Sequence, residues 1–278
     1  MKQLFDELSQ HCSVLTTRKY STSFSMGILC LSPKVRQHIY AIYGFVRLAD
    51  EIVDSFHEYP KEELLQRFEE DTWHAIQNGI SLNPVLNSFQ HTVRAFNIDE
   101  NLIRHFLKSM RSDLQQKSYV RDEYENYIYG SAEVVGLMCL YVFVDGNKKQ
   151  FEALEPFAKK LGSAFQKVNF LRDIQHDYKT LGRVYFPNAE MSNFSAEMKI
   201  EIEYEIEKEF ESALMGIKQL PESSKHGVYL AYKYYRNLFK KIKDTSSKDV
   251  LKKRIRISNT HKAGLLLNSL MRARLNLL

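Results

Sequence analysis

In residues 32–56 apolar side chains fill most of the circumference of a helix-length segment, and its key polar residues fall on one line along it. Ser32-Pro33 marks the start. A hydroxyl cap is followed by proline at the first helical position, where its missing N–H costs nothing and its fixed φ is already helical. Asn83-Pro84 repeats the device, and Asp99 caps a segment that reads helical to about residue 115. Residues 121–144 and 148–178 also read as helix, the second with a break or fresh start expected at Pro156. Two more helices, 195–220 and 222–243, part at Pro221, and a last one is expected over residues 259–275. Short strands are admissible near residues 183–186, but nothing supports a sheet, so the expected class is all-α. With no repeat, low-complexity tract or linker-like stretch, residues 1–278 are expected to form a single domain.

The polar lines carry the chemistry. At about 100° per residue, Tyr43, Arg47, Asp50 and Asp54 share a narrow arc, while Phe45, Leu48, Ile52 and Val53 point elsewhere. A helix apolar on most sides is buried, so its polar line must face something other than bulk water. Two carboxylates one turn apart on such a line repel each other and lose hydration, and they need a cation or a quenching partner. Gln166, Asn169, Asp173 and Asp177 form a second line of the same kind, with Val168, Leu171 and Ile174 turned away. One such line alone would be read as ordinary helix-surface pairing. Two of them, if the helices face each other, bring four carboxylates to one cavity. Oxygen-only donors are hard ligands and point to Mg²⁺, with Mn²⁺ as the alternative, rather than Zn²⁺. Mg²⁺ keeps waters and bridges carboxylates to phosphates, so the implied substrate is a diphosphate.

Two weaker pieces lie near these lines in function. Tyr20, Ser21, Thr22 and Ser23 offer clustered hydroxyls just after Arg18 and Lys19, suited to phosphate. Shortly after the second line, Gly182 to Pro187 places Arg183 and Tyr185 where they could close over the same site.

Composition narrows the picture. Gly (11) and Pro (6) are scarce in 278 residues, which favours long helices over a many-turned sheet. Sixteen Tyr and 17 Phe suit a thick core or the wall of an apolar pocket. The net charge of +5 is mild, and basic residues gather late in the chain, at Lys240, Lys241, Lys243, Lys252, Lys253, Arg254, Arg256, Arg272 and Arg274. A solvated face is one reading of this run and contact with an anionic membrane surface the other. Without a recognised module, no nucleic-acid partner is expected. Cys12, Cys30 and Cys139 are odd in number and far apart, and read as reduced thiols of a cytoplasmic protein. The first residues place acids where a signal peptide needs an apolar core, and the longest apolar run, residues 134–144, is too short for a bilayer core of ~30 Å. The chain is expected to be soluble or at most peripheral at the inner face of a membrane.

Taken together, these residues resemble the squalene/phytoene synthase family. Its first motif, Asp-x-x-x-Asp preceded by Tyr and Arg, is matched by Tyr43, Arg47, Asp50 and Asp54. Its second, Asn-x-x-Arg-Asp-x-x-x-Asp followed by Gly-Arg-x-Tyr-x-Pro, is matched by Asn169, Arg172, Asp173, Asp177, Gly182, Arg183, Tyr185 and Pro187. The N-terminal Ser-x-Ser-Phe is matched by Ser21, Ser23 and Phe24, and a Tyr-rich, small-residue helix by Tyr127, Ala132, Val135 and Gly136. The segment around Arg254 is similar to a late arginine segment of the family. Three positions depart from the pattern: Ser131-Ala132-Glu133 stands for the usual Val-Ala-Gly, Lys248 for a common Tyr, and Tyr20 for a His of some members.

The resemblance implies a helical isoprenoid-synthase bundle around a central cavity, and a prenyltransferase that joins two geranylgeranyl diphosphates head to head into phytoene. It implies that Asp50 and Asp54 hold metal on one wall and Asn169, Asp173 and Asp177 on the other. Arg47, Arg172, Tyr20, Ser21 and Ser23 would contact the diphosphates, and Tyr43 and Gln166 would line the reaction centre. Tyr127, Ala132, Arg183 and Tyr185 complete the expected substrate contacts. No NADPH is expected for phytoene, and a downstream desaturase is a candidate partner. The rival reactions are dehydrosqualene and squalene synthesis from farnesyl diphosphate, the latter needing NADPH. A non-catalytic family member serving as an assembly protein is the rival of another class; loss of metal-site residues would mark it, and here both motifs are complete. Head-to-tail prenyltransferases and terpene cyclases normally carry a denser metal motif that this chain lacks.

Overall fold

Pro33 opens a helix at its first position, although the Ser32 hydroxyl makes no capping bond, whereas at Asn83-Pro84 the Asn83 side chain accepts from the amides of Val85 (3.0 Å) and Leu86 (3.4 Å). The structure, a computed structural model, describes residues 1–115, 118–187, 194–252, 254–257 and 264. Its helices in chain order are α1 (Lys2–Tyr20), α2 (Thr22–Leu29), α3 (Pro33–Ser55), α4 (Lys61–Asn78), α5 (Pro84–Phe96) and α6 (Glu100–Gln115). They continue with α7 (Arg121–Ile128), α8 (Val134–Phe143), α9 (Lys148–His176), α10 (Ala196–Gln219), α11 (Glu222–Lys243) and α12 (Ser247–Val250). The fold is all-α. Among the described residues there is no strand, and the segment around Val184 contributes only an isolated bridge to Ser118. The expected helix over residues 259–275 lies, apart from Gly264, outside the described residues.

Helices α3 and α9 are the two inner struts. The first packs against α1, α4, α5, α6 and α8, and the second against α8, α10 and α11. Phe45 of α3 is fully buried, stacked on Phe89 of α5 at 3.9 Å between ring centroids, which fixes α3 among its neighbours. The break expected at Pro156 does not occur: α9 runs through it as one helix. Proline removes one hydrogen bond, but α9 is packed against α8 and α10, and tertiary contact outweighs that local preference.

Three helices lack the local signals used above. The inward face of α1 is made of Ser9, Ser13 and Thr17, all fully buried, rather than of an apolar stripe. Small residues are needed there because Gly44 of α3 approaches so closely that a Cβ would stand 3.1 Å from Ser13 Oγ. Helix α2 is short, and α4 starts after Pro60 without a side-chain cap bond.

Two π-helical turns flank the functional region, Tyr129–Glu133 between α7 and α8 and Asp177–Leu181 after α9. Such turns re-aim side chains relative to a regular helix. The first packs on α9 at Gly162, where a Cβ would stand 2.8 Å from the Ala132 carbonyl oxygen. Among the described residues no helix is long and apolar enough to cross a membrane. The three cysteines are unpaired.

Candidate active site

Asp50 and Asp54 from α3 and Asp173 and Asp177 from the end of α9 line one polar cavity of about 740 Å³. Helix periodicity places each pair at i and i+4 on one face, and the packing turns the two faces toward the same space. Tyr43, Arg47, Gln166, Asn169 and Arg172 line it from the same helices. Tyr20, Ser21, Thr22 and Ser23 close it at the junction of α1 and α2, where Ser21 caps α2 by accepting from the Phe24 amide at 3.1 Å. Tyr127, Arg183 and Tyr185 also reach it. Arg18 and Lys19 remain on the surface, and Ala132 lines a different, apolar cavity.

The acids are not independently solvated. Burial and then repulsion from Asp54 raise Asp50 well above the ordinary carboxylate range, against the pull of Arg47. Its side chain keeps 34% exposure, but that surface faces the cavity, with protein elsewhere around it, so the burial cost is real. Asp177 is raised to about 8 by burial, then by Asp173 and Asp54. Carboxylates on α3 and α9 therefore feel each other across the cavity. Three of the cations lining it are already engaged: Arg47 with Asp50 and Glu51, Arg172 with Asp173 (Nε to Oδ1, 3.1 Å), and Arg183 with Asp54 (2.8 Å). Burial works against the charge of Arg183, but Asp113, Tyr185 and Asp54 overcome it and raise its pKa. Gly182 permits the approach of Arg183 to the site. Its φ of +69° ends the π-helical turn in the left-handed region, which a side chain would resist.

Two residues at this site were not assigned to it from the sequence. Asp113 of α6 is buried and accepts hydrogen bonds from the hydroxyls of Tyr127 (2.6 Å), Tyr185 (3.2 Å) and Tyr119 (3.4 Å). Burial raises it to about 6, with Arg183 and Tyr127 opposing. A signal was present: Phe106, Met110 and Asp113 share one stripe of α6, so a carboxylate continues a buried apolar face. The other is Arg254, whose Nε stands 2.6 Å from Asp173 Oδ1, with Arg256 lining the same cavity. The late basic run is thus not wholly a solvated or membrane-facing surface: both residues line the cavity, and Arg254 pairs with an acid of α9.

Beyond the acids the space becomes apolar. A second cavity of about 300 Å³ is lined almost wholly by carbon, and Phe24, Gln166, Asn169 and Tyr235 line both spaces, so the two meet there. The junction is aromatic. Phe165 stacks on Tyr235 at 3.8 Å, and Phe24 stands 5.5 Å from Tyr43 and 6.0 Å from Tyr235, between ring centroids. Tyr235 donates its hydroxyl to Asn169 Oδ1 at 3.2 Å. Ring faces gathered at a desolvated junction favour a positive charge there. The arrangement as a whole can hold an anionic head among cations and acids while burying a long apolar tail.

Among the described residues no three His, Cys, Asp or Glu side chains stand together as a ready-made metal cage. The oxygen donors nonetheless fit a hard divalent cation. Burial, and then repulsion between neighbouring acids, holds Asp50 and Asp177 above the ordinary carboxylate range, and a divalent cation between them would relieve both effects.

The fold and site define an all-helical protein with acids from two inner helices over a deep apolar cavity. Residues 17–261 match the squalene/phytoene synthase family, and the chain belongs to it. That family is of the prenyltransferase type. The chain is 28% identical over 262 residues to the chloroplastic phytoene synthase 1 of Solanum lycopersicum, covering 87% of this chain and 62% of that protein. It is 27% identical over 204 residues to a 4,4'-diapophytoene synthase of Staphylococcus haemolyticus, covering 71% of this chain and 68% of the relative. Among solved structures, a dehydrosqualene synthase in complex with ligand superposes with a TM-score of 0.80 at 22% identity, over 98% of each chain. A squalene synthase from Alicyclobacillus acidocaldarius gives 0.74 at 19% identity, over 85% of this chain and 93% of that one.

Proposed function

We propose that this protein condenses two prenyl diphosphates head to head, and that geranylgeranyl diphosphate is the substrate and phytoene the product. The observation that carries the reading is the meeting of two carboxylate pairs, from α3 and α9, in a polar cavity that opens onto an apolar one. The likeness to plant phytoene synthases supports the C20 substrate. Asp50, Asp54, Asn169, Asp173 and Asp177 would hold Mg²⁺, or Mn²⁺ in its place. Bound there, the ion supplies charge neutralisation to the departing diphosphate.

The chain's own groups do the rest. Arg47, Arg172, Tyr20, Ser21 and Ser23 hold the diphosphates, with Arg183 and Tyr185 beside them. One substrate loses its diphosphate by cleavage of the allylic C–O bond. The resulting cation sits at the junction of Tyr43, Gln166, Phe24 and Tyr235, where water is excluded and ring faces stabilise it. The second substrate's allylic double bond attacks, and loss of a proton closes a cyclopropylcarbinyl diphosphate. Departure of the second diphosphate, rearrangement and a further proton loss give the C40 product. No reductant enters this balance.

The test is to incubate the purified protein with Mg²⁺ and either geranylgeranyl or farnesyl diphosphate, with and without NADPH, and to identify the hydrocarbon. A C40 triene-centred product without NADPH is expected. A C30 hydrocarbon as sole product would refute the phytoene assignment, and no condensation of either substrate would refute the reaction.

A further inference from the structure

We propose that Phe157, seated on Gly216, is the length gauge of the apolar cavity, bounding the stretch that receives the fourth isoprene unit of a prenyl chain. The inference rests on the substrate class just assigned. Helix α9 serves as a ruler, because one of its faces lines the cavity from Asn169 at the polar junction through Gln166, Phe165, Leu161 and Phe157 to Leu154. At 1.5 Å rise per residue, Phe157 lies ~18 Å and Leu154 ~22 Å along the axis from Asn169. An extended prenyl chain has four main-chain carbons per unit and advances roughly 1.25 Å per bond for C–C bonds of ~1.5 Å. A farnesyl chain therefore reaches ~15 Å and a geranylgeranyl chain ~20 Å. The first ends short of Phe157. The second places its last unit beside the Phe157 ring.

What holds that ring in place is the absence of a side chain on the facing helix. Helix α10 comes so near α9 at this level that a Cβ on Gly216 would stand 2.3 Å from Phe157 Cβ and 2.8 Å from its Cγ. Rotating the ring does not move Cβ, so a methyl at position 216 displaces the whole Phe157 residue. Gly216 and Phe157 both line the cavity, so the displacement is felt at the depth where C15 and C20 chains differ. Chain-length choice is thus set by one ring and the glycine behind it, ~24 Å along α9 from Asp173 and its diphosphate chemistry.

The test measures kcat/KM for farnesyl (C15), geranylgeranyl (C20) and geranylfarnesyl (C25) diphosphates with the full chain, and Kd for their non-ionising thiodiphosphate analogues. Phe157→Ala is expected to raise the C25-to-C20 ratio by roughly tenfold or more, and Phe157→Trp to lower the C20-to-C15 ratio by a similar factor. Gly216→Ala should act in the same direction as Phe157→Trp. Because it also strains the α9–α10 contact, the two Phe157 variants carry the test if it does not fold. Analogue affinities should shift in parallel with the kinetic ratios. If both ratios stay within about twofold of wild type in the folded Phe157 variants, the gauge is overturned. If the wild-type protein binds the analogues and condenses nothing, the reaction reading fails, and the Kd ratios of the variants still decide the gauge.

Discussion

Arg183 donates from Nη1 to Asp54 Oδ1 at 2.8 Å, joining residues 129 positions apart in the chain. The same nitrogen reaches the Tyr185 hydroxyl at 3.2 Å, with Asp113 at 3.9 Å. The segment after α9 is thereby tied to the acids of α3. Arg183→Lys keeps the charge but replaces the rigid guanidinium, whose Nη1 serves both Asp54 and Tyr185, with a flexible ammonium. It should lower stability by about 1–3 kcal/mol in urea denaturation and reduce turnover. Unchanged stability would show that the pair is not a structural tie.

Asp50→Ala and Asp173→Ala should each lower kcat by roughly 10³-fold or more, since each removes one of the acids of the shared cavity. The far-UV circular dichroism of both should match the parent. Normal product yield from either variant would remove the metal-holding role proposed for these acids.

Asp113 accepts from three tyrosines while buried, so its loss takes that acceptor from their hydroxyls and leaves Arg183 with Asp54 as its acidic partner. Asp113→Ala should cost about 2–4 kcal/mol in thermal denaturation. Asp113→Asn, which keeps an acceptor oxygen, should cost less. Equal losses in the two variants would show that volume, not hydrogen bonding, sets the effect.

His38 of α3 is buried, with Nδ1 3.0 Å from Thr92 Oγ1 and its ring stacked 6.1 Å from that of His91. Burial, and then the nearby His91, lowers its pKa from 6.5 to about 4. Above pH 6.5 neither folded nor unfolded chain carries a proton there; between 6.5 and about 4 only the unfolded chain binds one. Stability should therefore fall as pH drops through that window, by up to roughly 3 kcal/mol from this group. Denaturation at pH 7.5 and 4.5 should show a smaller loss for His38→Asn than for the parent, and an equal loss would assign the acid sensitivity elsewhere.

Helices whose signals are local were legible in the chain alone. Ser32-Pro33, Asn83-Pro84 and Asp99 mark starts that the structure places within a residue, and the periodicity of α3 and α9 set the two acid lines on single faces. These follow from neighbours in the chain, because helical geometry fixes which residues share a face. Helix α1 escaped because its buried face is serine and threonine, and the run through Pro156 because packing overrode a local breaker. Packing alone makes the two lines meet, pairs Arg254 with Asp173 across 81 positions, and gathers three tyrosines on Asp113. It also decided which carboxylates lose their hydration. Ion pairing and burial depend on distances between segments remote in the chain, and those distances exist only once the helices have packed.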